Sequence, residues 1–134
     1  MIDPPAIQPE YMQIDRVKIL LRVGAISALL VIGVLSLVPG DDRPHTGLPG
    51  GLEHVAAYVI AGFLLRLAYH ERLSAIRVIL LLTVYGAILE LAQLWVPGRS
   101  GKLIDITADF AGASIGVLVA TVLTRRIPKR SRKN

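Results

Sequence analysis

The stretch "IRVILLLTVYGAILELAQLWV", Ile76 to Val96, is apolar over its first 14 positions except for Arg77 and Thr83, and then admits Glu90 and Gln93. A bilayer's hydrocarbon core of about 30 Å takes roughly 20 helical residues to cross, which is the length of this run. Hydrocarbon offers no water to unpaired backbone groups, so a helix is the economical conformation for it. Three further runs resemble it: Val17–Val38, Leu52–Tyr69 and Leu103–Thr124. The connectors between them, "PGDDRPHTGLPGG", "HERLSA" and "PGRSGK", are rich in helix breakers or in polar residues. The expected fold is therefore all-α: one domain over residues 1–134, a polytopic membrane protein built as a four-helix transmembrane bundle.

Composition agrees with this reading. Of the 134 residues 53% are hydrophobic and 19% charged, and the mean hydropathy is +0.57, which excludes an ordinary water-soluble domain. There is no cysteine, which excludes a disulfide framework and thiolate metal sites. The formal net charge of +5 invites a nucleic-acid reading, but its placement argues against one. Arg16, Lys18 and Arg22 flank the first run, Arg66, Arg72 and Arg77 surround the middle connector, and the tail from Arg125 holds most of the rest. Of the 15 Lys and Arg residues, only Arg43, Arg99 and Lys102 fall on the opposite side. The positive-inside rule then puts both termini in the cytoplasm, with residues 1–16 as leader and 125–134 as a basic tail against anionic headgroups. Asp3, Glu10 and Asp15 in the leader, and the absence of a small-x-small cleavage site, favour a retained first helix over a cleaved signal peptide.

On that topology the unusual polar residues share one membrane face. Glu53 and His54 open the second helix, Glu90 and Gln93 close the third, Arg99 and Lys102 lie in the outer connector, and Asp105 and Asp109 open the fourth. At a rise of about 1.5 Å per residue, Glu90 and Asp109 each lie about 9 Å below the rim, at matching depth. Ionisable groups so deep face the bundle interior or a wet cavity, which makes them a candidate site. His54 and Tyr58 are spaced by four and Glu90 and Gln93 by three, so each pair shares a helix face. Asp105, Asp109, Gly112 and Gly116 continue one stripe, ending in a Gly-x-x-x-Gly surface for close helix packing.

Plainer roles stand beside these. Asp105 also suits a helix cap, His54 an interfacial histidine, and Tyr58, Tyr85 and Trp95 packing or interface anchors. Arg22 and Arg66 suit snorkelling toward the cytoplasmic surface. Glu90 opposes the dipole at a helix C-terminus, and an ion pair with Arg99 is its simplest structural explanation. Carboxylates gathered in a low dielectric call for a proton, a metal ion or Arg99 to relieve them.

"LEHVAAYVIAGFLL" and "ILELAQLWVPGRSGKLIDITADFAGASIG" together resemble the VanZ-like family of small integral membrane proteins. The matching positions are His54, Tyr58, Glu90, Gln93, Pro97, Gly98, Arg99, Asp105, Gly112 and Gly116, over about residues 52–123. The chain departs from the pattern where Glu53 stands beside the histidine in place of a nearby lysine, and where Asp109 stands in place of the common asparagine. The site is thus more acidic than the resemblance implies. The resemblance implies a multi-pass protein of the bacterial inner membrane, associated with tolerance of glycopeptide antibiotics.

Three functions fit the pattern. The first is binding or modification of a cell-envelope lipid or lipid-linked precursor, with Arg99 gripping a phosphate. The second is an intramembrane enzyme on such a lipid, using His54 or Glu90 as general base or a divalent ion held by oxygen ligands and His54. The third is a small ion-coupled transporter, for which a homo-oligomer would have to supply the path, since the inner halves offer little beyond Ser27, Ser36 and Thr83. The expected partners are membrane lipids and no nucleic acid. The residue pattern assigns neither a cofactor nor a catalytic residue.

Overall fold

The computed structural model describes residues 9–42, 44, 47 and 49–125, and among these it contains four α-helices, one short 3-10 turn at Gly40–Asp42 and no strand. The helices are α1 (Pro9–Leu37), α2 (Gly50–Tyr69), α3 (Ala75–Gln93) and α4 (Leu103–Arg125). All four are long and apolar enough to cross a membrane. The chain is a multi-pass, all-helical membrane protein. Residues 1–8 of the expected leader, Arg43 and the tail from residue 126 lie outside the described residues.

Three helix limits differ from the expectation by more than one residue, each for a local reason. α1 begins at Pro9, well before the apolar run, because proline is well suited to the first helical position and the polar stretch after it continues the helix. α2 begins at Gly50 instead of Leu52, because the Pro49 carbonyl accepts from the Leu52 and Glu53 amides and so draws both glycines into the first turn. α3 ends at Gln93, short of Val96. Its last residues pass into tight turns, with the Leu94, Trp95 and Val96 amides each bonded three residues back. Pro97 follows, and the residue before a proline avoids helical geometry. At the other end of α3, Ser74 is a regular N-cap whose hydroxyl accepts from the Arg77 amide at 3.4 Å.

The most extensive contact is between α2 and α4; α3 packs on α4 from the other side, and α1 lies mainly against α2. Small residues are the reason that α2 and α4 come so close. A Cβ at Gly112 or Gly116 would strike the backbone carbonyls of Val55 and Val59, and one at Gly62 would lie 2.8 Å from the Ala113 carbonyl oxygen. The core between them holds Tyr58, Ala61, Ala113 and Val117, with Val78 and Leu82 from α3. α1 is joined to α3 by Tyr85, whose hydroxyl donates to the Leu29 carbonyl at 2.7 Å.

Burial is inverted relative to a soluble protein. Glu90 and Gln93 are each 4% exposed and Asp109 1%, whereas Leu81, Ile88 and Leu118 look outward. Lipid solvates the outer leucines, and the interior takes the carboxylates.

The two ends of the bundle differ in chemistry. At one end, the Gly40 amide donates to the Pro97 carbonyl at 3.0 Å and Arg99 Nε donates to Val38 O at 3.1 Å, clasping the first and third connectors. At the other, Lys18 pairs with Glu71 at 3.2 Å and Arg22 lies over the Tyr69 ring, 5.7 Å from its centroid. Arg66 does not reach out to the surface as expected. It donates to Thr121 Oγ1 at 3.0 Å and to the Leu73 carbonyl at 2.7 Å, tying α2 to α4 and to the middle connector. An arginine with acceptors within reach is better satisfied inside the protein than by extending to headgroups.

Candidate functional site

Three helices bring His54, Tyr58, Glu90, Asp105 and Asp109 to one place at the end of the bundle that holds the first and third connectors. His54 Nδ1 lies 2.8 Å from Asp109 Oδ1. An ionised carboxylate only accepts, so Nδ1 carries the proton and donates. On the opposite side of the ring, His54 Nε2 is 3.9 Å from Glu90 Oε1. Glu90 Oε2 accepts from the Lys102 backbone amide at 2.7 Å. One ligand-capable atom each from His54, Glu90 and Asp105 lie within 4.8 Å of one another.

Local sequence explains each placement. His54 and Tyr58 are one turn apart on α2, and Asp105 and Asp109 one turn apart on α4, so each pair shares a face. Gly86 was not among the expected site residues, yet it makes the room. A Cβ there would lie 2.8 Å from the Tyr58 hydroxyl and would overlap Asp109 Oδ2. Its signal was present in the spacing, because Gly86, Glu90 and Gln93 form a single stripe on α3.

The other expected residues lie around a neighbouring cavity of about 300 Å³ between α1 and α2. Val31, Ile32 and Leu35 of α1 and Ala56 and Ala57 of α2 line its apolar part; Glu53, His54, Gln93 and Arg99 form its polar part. His54 thus belongs to both the cavity and the carboxylate cluster. Arg99 is not the partner of Glu90. Its Nε and Nη2 donate to the carbonyls of Val38 and Leu35, which are left unpaired where α1 ends. Lys102 contributes its backbone amide to Glu90 through the tight third connector, and its side chain is exposed. Gly112 and Gly116 serve packing alone.

Among the described residues, only His54 comes within ion-pair distance of Glu90 or Asp109. Glu90 Oε1 and Asp109 Oδ2 are buried without a hydrogen-bond partner. Buried unpaired carboxylate oxygens are costly, and they mark this cluster as more than a packing feature.

A family model described as VanZ/LLP1 matches residues 11–124. The chain belongs to the VanZ/LLP1 family. The match takes in α1, which the resemblance read from the sequence left out. α1 supplies the apolar wall of the cavity, so the family match spans the whole of that pocket as well as the cluster. No curated protein and no solved structure matches the chain.

Proposed function

We propose that this VanZ/LLP1 protein binds an amphipathic cell-envelope lipid or lipid-linked precursor in the bacterial inner membrane, with the headgroup at the extracytoplasmic rim. The observation that carries this reading is the cavity of about 300 Å³ whose wall is apolar along α1 and α2 and polar at Glu53, His54, Gln93 and Arg99. A pocket divided this way matches a molecule with a hydrocarbon chain and a polar head. Pockets of this size bind by apolar burial and take their orientation from a few polar groups. The excess of Lys and Arg at the opposite end supports a cytoplasmic location for both termini, and hence an outward-facing pocket. Altered tolerance of glycopeptide antibiotics would follow indirectly, through sequestration or alteration of an envelope lipid.

The test is lipid analysis of the purified protein beside Ala56→Phe, which fills the cavity from an exposed position on α2. One lipid class enriched in the wild type and depleted in the variant supports the proposal. Equal lipid content in both, matching the bulk membrane, overturns it.

A second reading, acid–base modification of the bound headgroup, draws on the 2.8 Å contact of His54 with Asp109, which orients the ring. It predicts a product from the bound lipid that disappears in His54→Ala.

A further inference from the structure

With His54 neutral, the His54–Glu90 geometry leaves two acceptors facing each other. Nδ1 is committed as donor to Asp109, so a neutral His54 presents a lone pair at Nε2. Opposite it, 3.9 Å away, is Glu90 Oε1, on a side chain 5% exposed and without a hydrogen-bond partner. A proton shared between them would need about 2.7–3.2 Å, so a hydrogen bond does not satisfy this gap. A cation does. Two atoms each about 2.1 Å from one ion can stand up to about 4.2 Å apart. One ligand-capable atom each from His54, Glu90 and Asp105 lie within 4.8 Å of one another, so side-chain shifts of about half an ångström bring all three within reach of one ion.

We infer that His54 Nε2, Glu90 Oε1 and the Asp105 carboxylate form a binding site for a divalent transition-metal cation of the Zn²⁺ or Mn²⁺ kind. The surroundings of the three ligands support this. Asp109 accepts from the histidine's other nitrogen, and the Lys102 amide donates to the glutamate's other oxygen at 2.7 Å. These are the outer contacts that set a metal-binding histidine's tautomer and hold a ligating carboxylate still. One imidazole nitrogen with two carboxylates suits zinc or manganese, whereas calcium takes six to eight oxygens. The ion also offsets the Glu90 carboxylate, which among the described residues has only His54 within ion-pair distance. Because His54 lines the cavity, the ion lies at the cavity's polar end. The site does not depend on what fills the cavity.

The experiment uses the full chain in detergent micelles, without a polyhistidine tag. The protein is stripped with a chelator, dialysed against micromolar Zn²⁺ or Mn²⁺, and assayed for metal content and for thermal unfolding with and without the ion. The expected result is about one bound equivalent and a higher Tm. His54→Ala, Glu90→Gln and Asp105→Asn are each expected to weaken binding about tenfold or more, and Asp109→Asn by about 10–100-fold through the histidine. Asp105 is only half-buried, so Asp105→Asn decides the matter if the His54 variant does not fold. Wild-type protein that binds neither ion stoichiometrically overturns the site, as does binding unchanged in Asp105→Asn. Metal content and lipid content are separate readouts, so this site and the lipid reading fail separately.

Discussion

His54 on α2 and Asp109 on α4 are joined by a 2.8 Å hydrogen bond between residues 55 positions apart in sequence, and the aspartate is 1% exposed. The bond ties together the two helices that make the largest contact. It also fixes the tautomer of the only histidine in the cluster. Asp109→Ala removes the acceptor and leaves a partly buried imidazole N–H unpaired. The expected loss is about 1–3 kcal/mol of stability, with Asp109→Asn milder because its amide oxygen still accepts. Reversible unfolding in mixed micelles measures both; equal stability of wild type and Asp109→Ala contradicts the expectation.

Gly116 and Gly51 give opposite results on substitution. A Cβ at Gly116 overlaps the Val59 carbonyl and lies 2.8 Å from the Phe63 amide nitrogen, both rigid backbone, so Gly116→Ala forces α2 and α4 apart. A Cβ at Gly51 meets nothing within 4 Å, and Gly51→Ala raises helix stability by about 0.5–1 kcal/mol. Thermal unfolding of the two variants side by side is expected to show a lower Tm for the first and an unchanged or higher one for the second.

Glu90 holds the third connector through the Lys102 amide at 2.7 Å. Glu90→Gln keeps a side-chain oxygen there, whereas Glu90→Leu removes it. Hydrogen exchange at the Lys102 amide should speed up markedly in the leucine variant and little in the glutamine variant. Equal protection in all three proteins would mean that the bond does not order the connector.

Orientation can be read directly because the chain has no cysteine. Ser100→Cys lies in the third connector and Ser74→Cys in the second, and both positions are exposed. With cytoplasmic termini, an impermeant thiol reagent labels the Ser100 variant in intact cells and the Ser74 variant only after lysis. The reverse pattern would invert the topology and put the carboxylate cluster on the cytoplasmic side.

Lys18 holds the Glu71 carboxyl below its usual range, chiefly through their hydrogen bond. A depressed carboxyl pKa stabilises the fold above the unfolded-state value, and that stability is lost as pH falls through the folded-state value. The pair is exposed, so Glu71→Gln should cost under about 1 kcal/mol at neutral pH. The difference from wild type should vanish in acid and shrink in high salt. A difference that persists below the carboxylate range would locate the effect elsewhere.

Much of the architecture is legible one residue at a time. Membrane insertion depends on the summed hydropathy of a continuous segment, so four spans follow from four apolar runs without reference to one another. The gathering of His54, Glu90 and Asp109 at one end was legible too, because antiparallel helices of similar length bring residues of equal depth to the same level. Helix limits were less so. Pro49 draws two glycines into α2 and Pro97 cuts α3 short, effects of bonding that propensity does not carry.

By itself, then, the sequence determined the number and length of the apolar segments, the charge asymmetry between their ends, and the position of each ionisable group along its helix, all of which are additive along the chain. Only the tertiary structure decided which groups bond to which. Arg99 closes the end of α1 instead of neutralising Glu90, Arg66 turns inward to Thr121, and Gly86 opens the space that Asp109 and Tyr58 occupy. Such choices depend on distances of a few tenths of an ångström between helices, and those are set by packing across the bundle and not by any one segment.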